Sequence, residues 1–125
     1  MISIDLDHFK KVNDTFGHSV GDLMLKEFSD LLKELVRAED IASRWGGEEF
    51  IILLPNTSCD AAAALAERIR STFEKQSSSA APLSVTASFG VAQLQNGDNE
   101  DELIRRVDNA LYTAKREGRN RVVVA

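Results

Sequence analysis

Glu48 and Glu49 follow two adjacent glycines, Gly46 and Gly47, and lead into Phe50, between apolar residues on either side (Ile41, Ala42, Trp45; Ile51 to Leu54). Two glycines between apolar runs read as a tight hairpin turn with both central residues at positive φ. Carboxylates that open a buried strand call for something cationic to meet them. A plain surface hairpin with a solvated acidic edge is the other reading of the same five residues. A second acidic group lies near the start, where Asp5 and Asp7 alternate with Ile4 and Leu6 and so share one face of a strand. The stretch from His8 to Gly17 reads as a short helix with Asp7 as its N-cap and Gly17 as its stop. An acid beside the free N–H groups of a helix start suits a metal-bound phosphate, the metal taking carboxylate oxygens and the N–H groups taking phosphate oxygens. Alternatively Asp7 only caps and Asp5 is exposed. Together the two acidic groups and the helix start are the parts of a two-metal phosphoryl or nucleotidyl transfer site. That requires the first strand to pair beside the hairpin.

The elements that must position these residues follow from periodicity. Leu25, Phe28, Leu32 and Leu35 mark an amphipathic helix from about Val20 to Val36; Leu65, Ile69 and Phe73 mark another, starting near Ser58; Leu103, Val107, Leu111 and Ala114 mark a third. Leu83, Val85, Ala87, Phe89 and Val91 alternate with small polar residues, as in a strand with one buried face, and Arg121 to Val124 closes as a short strand. Gln76 to Ala81 reads as a Ser-rich loop and Gln95 to Asn99 as a polar turn. The order strand, helices, hairpin, helix, strand, helix, strand predicts an α+β fold, with helices packed around a mostly antiparallel sheet.

Composition bounds the function. The 125 residues suit one domain, and 43% apolar with 28% charged residues is ordinary for a globular chain. No run approaches the roughly 18 apolar residues of a membrane span, and no signal peptide is visible. The single cysteine, Cys59, rules out an internal disulfide and fits a reducing cytoplasm; it reads as a helix-start residue without a chemical role. A net charge of −5 argues against general nucleic-acid binding.

Four motifs, in order, resemble the GGDEF family of diguanylate cyclases: Asp5-Leu6-Asp7-His8-Phe9-Lys10 with Asn13-Asp14, then Gly17-His18-Ser19-Val20-Gly21-Asp22, the signature Gly46-Gly47-Glu48-Glu49-Phe50 in its Glu variant, and Ala114-Lys115-Arg116-Glu117-Gly118-Arg119-Asn120. The resemblance implies a palm-like fold akin to nucleotide cyclases and polymerases. It implies an enzyme that joins two GTP into cyclic di-GMP and releases pyrophosphate. Asp5, Glu48 and the Leu6 carbonyl would ligate Mg²⁺ or Mn²⁺, two ions per site, with Glu48 and Glu49 as the catalytic carboxylates. Asn13 and Asp22 would read the guanine edge, Lys10, Lys115 and Arg119 would hold the β- and γ-phosphates, and Phe9 would belong to the substrate-binding set. Lys115 and Arg119 are spaced as one helical turn, and a solvated basic helix end is their plainer reading.

Arg37-Ala38-Glu39-Asp40 matches the family's Arg-x-x-Asp motif. The resemblance makes Arg37 and Asp40 an inhibitory site for cyclic di-GMP, with Arg68 a further ligand or an ordinary surface arginine. Family domains begin with a helix some residues earlier and usually follow a sensor domain; both are expected outside this chain. Since each site holds one GTP, the reaction needs a homodimer. A catalytically idle module that binds cyclic di-GMP or GTP, or a domain that binds GTP only to change shape for a partner, are the competing readings.

Overall fold

The computed structural model of the chain describes residues 1–76 and 84–125. Residues 77–81 of the expected Ser-rich loop, and Leu83 of the expected strand, lie outside the described residues. The apolar residues of β1 (Ile2–Leu6) sit at the centre of a five-stranded sheet. On one side β1 pairs with β3 (Glu49–Leu53), which pairs with the edge strand β2 (Ile41–Gly46). On the other it pairs with β4 (Ala87–Val91), flanked by β5 (Val122–Val124). All pairs are antiparallel except β4–β5, so the sheet is mostly antiparallel as expected. Between the strands run α1 (Phe9–Phe16), α2 (His18–Leu35), α3 (Cys59–Lys75) and α4 (Glu100–Arg116). The element order is the one the periodicity predicts.

Strand register sorts the residues into two faces. Ile2, Ile4 and Leu6 stand level with Ile52, Phe50, Phe89 and Ala87 on the face covered by α2 and α3. Phe28 from α2 joins Phe50 and Phe73 there, with ring centroids 4.9 and 4.8 Å apart. Ser3 and Asp5 share the opposite face with Ile51, Glu49, Gly90 and Ser88, and α4 lies across its β1–β4–β5 half. That crossing is close: a β-carbon on Gly90 would stand 2.5 Å from both the Val107 carbonyl oxygen and the Leu111 nitrogen. Because both faces are covered, all five residues of β4 are buried, not the alternate ones expected from the sequence.

The hairpin turns one residue later than the two glycines suggest. Gly46 pairs with Glu49, so Gly47 and Glu48 form the turn. Neither Gly46 nor Gly47 has positive φ. The reason is an irregularity in the β2 register between Arg44 and Gly46, which shifts the reversal along the chain. The Arg44 Nε closes the turn on the Gly47 carbonyl at 2.9 Å. Among the described residues no helix is long and apolar enough to cross a membrane.

Candidate active site

Asp5 lies one residue before the end of the central strand, opposite Glu49. The Leu6 N–H donates to the Glu48 carbonyl at 3.2 Å. That bond makes Asp5 and Glu49 a non-hydrogen-bonded cross-strand pair, the type whose Cα atoms lie about 4.5 Å apart and whose side chains approach most closely. The condition the sequence left open, that the first strand pairs beside the hairpin, is therefore met. Phe50, 1% exposed, anchors the hairpin strand in the core and leaves Glu49 on the opposite face.

Lys115, the last residue but one of α4, donates its Nζ to the Asp5 Oδ2 at 2.5 Å. Burial pushes the Asp5 carboxyl above its ordinary range; the hydrogen bond and charge of Lys115 draw it down, and the charges of Glu48 and Glu49 push it up again. Asp5, Glu48 and Glu49 therefore form one electrostatic group, and Lys115 is its counter-charge. The oxygens of these carboxylates and of the Leu6 carbonyl are a hard-cation donor set. Among the described residues no three His, Cys, Asp or Glu side chains form a complete metal cage.

The first turn of α1 faces this end of the sheet. The N-cap position is His8, at φ 55°, and no side chain caps the helix. Asp7 does not cap, contrary to expectation, because its carboxylate is taken elsewhere. It accepts from Thr86 Oγ1 at 2.7 Å, from Ser88 Oγ at 2.6 Å and from the Asn120 N–H at 3.0 Å. Since Ser88 is the register partner of Asp5, Asp7 does share the Asp5 face. Its role is to tie the end of β1 to β4 and to the loop after α4. The uncapped N–H groups of α1 remain ready for an anion.

Phe9 is buried, so any phosphate contact there falls to its backbone, whereas Lys10 is exposed. Where α2 crosses α1, a β-carbon on Gly21 would lie 1.8 Å from Asn13 Oδ1. Glycine at this point lets Asn13 approach the residue before Asp22, so these two polar side chains frame one corner. Asn13 Oδ1 is buried without a hydrogen-bond partner, and Asp22 is exposed.

Arg119 does not continue the helical face of Lys115. The helix ends at Arg116, and Gly118, Arg119 and Asn120 all have positive φ, at 125°, 64° and 46°. The loop folds back, the Arg119 N–H donating to the Ala114 carbonyl at 2.9 Å.

In the α2–β2 connection Arg37 is already paired. Its Nε and Nη2 reach the Asp40 carboxylate at 3.4 and 3.3 Å, and Nη2 also donates to Thr57 Oγ1 at 2.5 Å. The Asp40 side chain is 1% exposed, whereas Arg68 stands on the exposed side of α3. Thr57 has no signal in the sequence, because twenty residues separate it from Arg37.

An open groove of about 620 Å³ adjoins the acids on the α4 face, floored by Ser3, Ile51 and Leu53 and walled by Trp45, Ile104 and Tyr112.

A mostly antiparallel sheet with an acid near the end of its middle strand and more on the adjoining hairpin defines the palm class of nucleotidyl cyclase domain. The model of the family described as "Diguanylate cyclase, GGDEF domain" matches residues 1–121. The chain belongs to this family. It is 48% identical over 125 residues to Diguanylate cyclase DgcM of Escherichia coli K12, a match that takes in 100% of this chain and 30% of that protein. With Diguanylate cyclase A of Treponema denticola it shares 45% over 129 residues, 100% of this chain and 34% of the relative. The chain thus spans about a third of the length of these curated relatives. Among solved structures, the active GGEEF domain of a diguanylate cyclase from Vibrio cholerae superposes with a TM-score of 0.93 at 42% identity, over 98% of this chain and 80% of that one. The GGDEF domain of DgcB from Caulobacter crescentus, in complex with cyclic di-GMP, superposes at 0.91 with 34% identity, over 98% and 75%.

Proposed function

We propose that this domain is the catalytic unit of a cytoplasmic diguanylate cyclase that condenses two GTP into cyclic di-GMP and two pyrophosphates. The pairing of Asp5 with Glu49 across two strands, with Lys115 on Asp5, is the observation that carries the reading. Asn13 and Asp22 take the guanine edge: Asp22 accepts from N1–H and N2–H₂, a donor pair that adenine lacks. The uncapped start of α1, with Lys10, Lys115 and Arg119, takes the triphosphate. Lys115 gives its Asp5 contact over to phosphate when the substrate arrives. Asp5, Glu48 and the Leu6 carbonyl would hold Mg²⁺, which would offset charge on the phosphates and lower the pKa of the attacking hydroxyl.

In each half-reaction the 3′-oxygen of one GTP bonds to the α-phosphorus of the other, and the bond from that phosphorus to pyrophosphate breaks. The hydroxyl proton passes to a hairpin carboxylate, Glu48 or Glu49. The product has two-fold symmetry and one domain holds one GTP, so two domains meet face to face. Arg37 and Asp40, joined by Arg68, form a separate site for product, at which cyclic di-GMP displaces the Arg37–Asp40 pair and restrains the enzyme.

The test is incubation of the chain with GTP and Mg²⁺, with the dinucleotide followed by chromatography. We expect product whose rate per mole of protein rises with protein concentration. Product at a specific activity independent of concentration, from a chain that sediments as a monomer, would refute the two-domain mechanism. GTP binding without product would leave the idle binding module as the correct reading.

A further inference from the structure

Two consecutive non-glycine residues in the left-handed region, Arg119 at φ 64° and Asn120 at φ 46°, are an uncommon backbone state that persists only where the surroundings enforce it. Asparagine tolerates this region through its short polar side chain, and arginine does not share that tolerance. Arg119 is held only locally, its N–H donating to the Ala114 carbonyl at 2.9 Å and its carbonyl accepting from Arg121 Nε at 3.1 Å; the contacts that reach the sheet and α3 fall on Asn120. Its backbone N–H donates to Asp7 Oδ2 at 3.0 Å. Its side-chain Oδ1 accepts from Arg70 Nη1 at 2.9 Å, and its Nδ2 donates to Glu74 Oε2. Each anchor is itself fixed. Asp7 is 5% exposed and bound by Thr86 and Ser88. Arg70 is gripped by Glu67 through Nε at 2.9 Å and Nη2 at 2.5 Å. Asn120 therefore joins the end of the central strand to α3. Arg119, its neighbour, is exposed, and among the described residues its guanidinium meets no acceptor on another residue. Its backbone is folded onto the last turns of α4, beside the Lys115 that reaches Asp5.

We propose that Asn120, tied to Arg70 and Glu74 of α3 and to Asp7 of the sheet, is the positioning residue that holds Arg119 ready to grip the outer phosphates of GTP. The inference rests on the reading of Arg119 as a phosphate ligand. It predicts a loss confined to ligands that carry those phosphates, since the guanine corner at Asn13 and Asp22 belongs to other elements.

The test is titration of the chain with GTP and with GMP, followed by NMR shifts, which register weak binding as well as strong. Asn120→Gly accepts the left-handed backbone and keeps the N–H to Asp7 while removing the tie to α3. We expect it to weaken GTP about 5- to 10-fold and to leave GMP within about twofold. Arg119→Ala should give the same pattern, and adding Asn120→Gly to it should weaken GTP no further. If Asn120→Gly proves unfolded, the double variant Arg70→Ala with Glu74→Ala removes both halves of the tie from the α3 side, Arg70→Gln alone weakens one half, and both should show a GTP-selective loss, larger in the double variant. Arg119→Ala with unchanged GTP affinity would overturn the phosphate-ligand reading itself. A GTP loss in Arg119→Ala that neither Asn120→Gly nor Arg70→Ala with Glu74→Ala reproduces would overturn only the positioning role. Equal weakening of GMP and GTP, or full additivity of Arg119→Ala with Asn120→Gly, would likewise overturn it.

Discussion

Gly90→Ala tests the claim that the spacing between α4 and the sheet is set by the absence of a side chain. The new methyl would stand 2.5 Å from the Val107 oxygen and the Leu111 nitrogen and 3.1 Å from the Leu111 Cα. All three are backbone atoms, so no rotamer change relieves the clash. Restoring ordinary contact at 3.4 Å needs α4 to withdraw by the difference, 0.9 Å. Over that gap, close-packed atoms lose about a quarter to a half of their dispersion well. Val107, Ala110, Leu111 and Ala114 are the buried residues of the helix that lose it. Overpacking of this kind costs about 1–3 kcal/mol. The lower entropy of the unfolded alanine chain returns about 0.4–1 kcal/mol. Because the obstacle is backbone we expect a cost near the upper end of that range and, after the entropy is returned, a net loss of about 2 kcal/mol. An unfolding entropy of about 2.1 cal/mol/K per residue gives about 0.26 kcal/mol/K for 125 residues. The melting temperature, followed by far-ultraviolet circular dichroism, should therefore fall by about 8 °C. A melting temperature within about 2 °C of the parent, or above it, would show that α4 does not rest on Gly90.

Gly47→Ala should behave in the opposite way. An added β-carbon meets nothing within 4 Å in the protein, so the melting temperature should stay within about 2 °C, while under the proposed function, which gives that space to substrate or a facing domain, product formation should fall at least about tenfold. A stable and fully active variant would sink that assignment. Asp5→Asn should change the pH dependence of stability. The raised pKa of Asp5 means that its contribution is fully present below the ordinary value of 3.8 and is lost as pH rises through the raised one. Urea unfolding of both proteins from acid to neutral pH should show the variant gaining on the parent across that interval, and a flat difference would remove the burial argument. Arg37→Ala should weaken cyclic di-GMP at least about tenfold by calorimetry and leave GTP affinity unchanged, because Arg37 stands apart from the Asp5 group; equal loss of both ligands would merge the two sites.

The parts of this fold that the sequence discloses are those governed by local rules. Helical spacing marks α2, α3 and α4 to within a few residues, Ser58 caps α3 through the Ala61 N–H, and Gly17 ends α1. The pairing of the acids is half legible: Asp5 and Glu49 are visible as residues, but their juxtaposition depends on which strands neighbour β1. What stays hidden is long-range. Asp7 reads as a helix cap because its real partners lie 79, 81 and 113 residues away. Arg119 reads as one turn beyond Lys115 when spacing alone is counted, although Gly118, at positive φ just past the Glu117 C-cap, is a local stop signal that ends the helix before it. Gly46 reads as a turn residue because the register shift at Arg44 depends on the facing strand. Asp40 reads as an open acceptor, although Arg37 already occupies it.

The sheet order places the two halves of the acid group on strands of unequal permanence. Asp5 rides on the central strand, hydrogen-bonded on both sides and buried along its whole length. Glu48 and Glu49 sit at the tip of a hairpin whose outer strand is a sheet edge with exposed residues along nearly all of it. Opening at an edge exposes little apolar surface and needs far less than global unfolding, whereas a central strand exchanges its amide protons only when the whole domain comes apart. Asp5 is therefore held for as long as the fold lasts, whereas the hairpin tip with Glu48, next to the edge strand, is the part of the site that local opening reaches first. Anything that presses on the hairpin, a facing domain above all, acts on the part of the site that is free to respond.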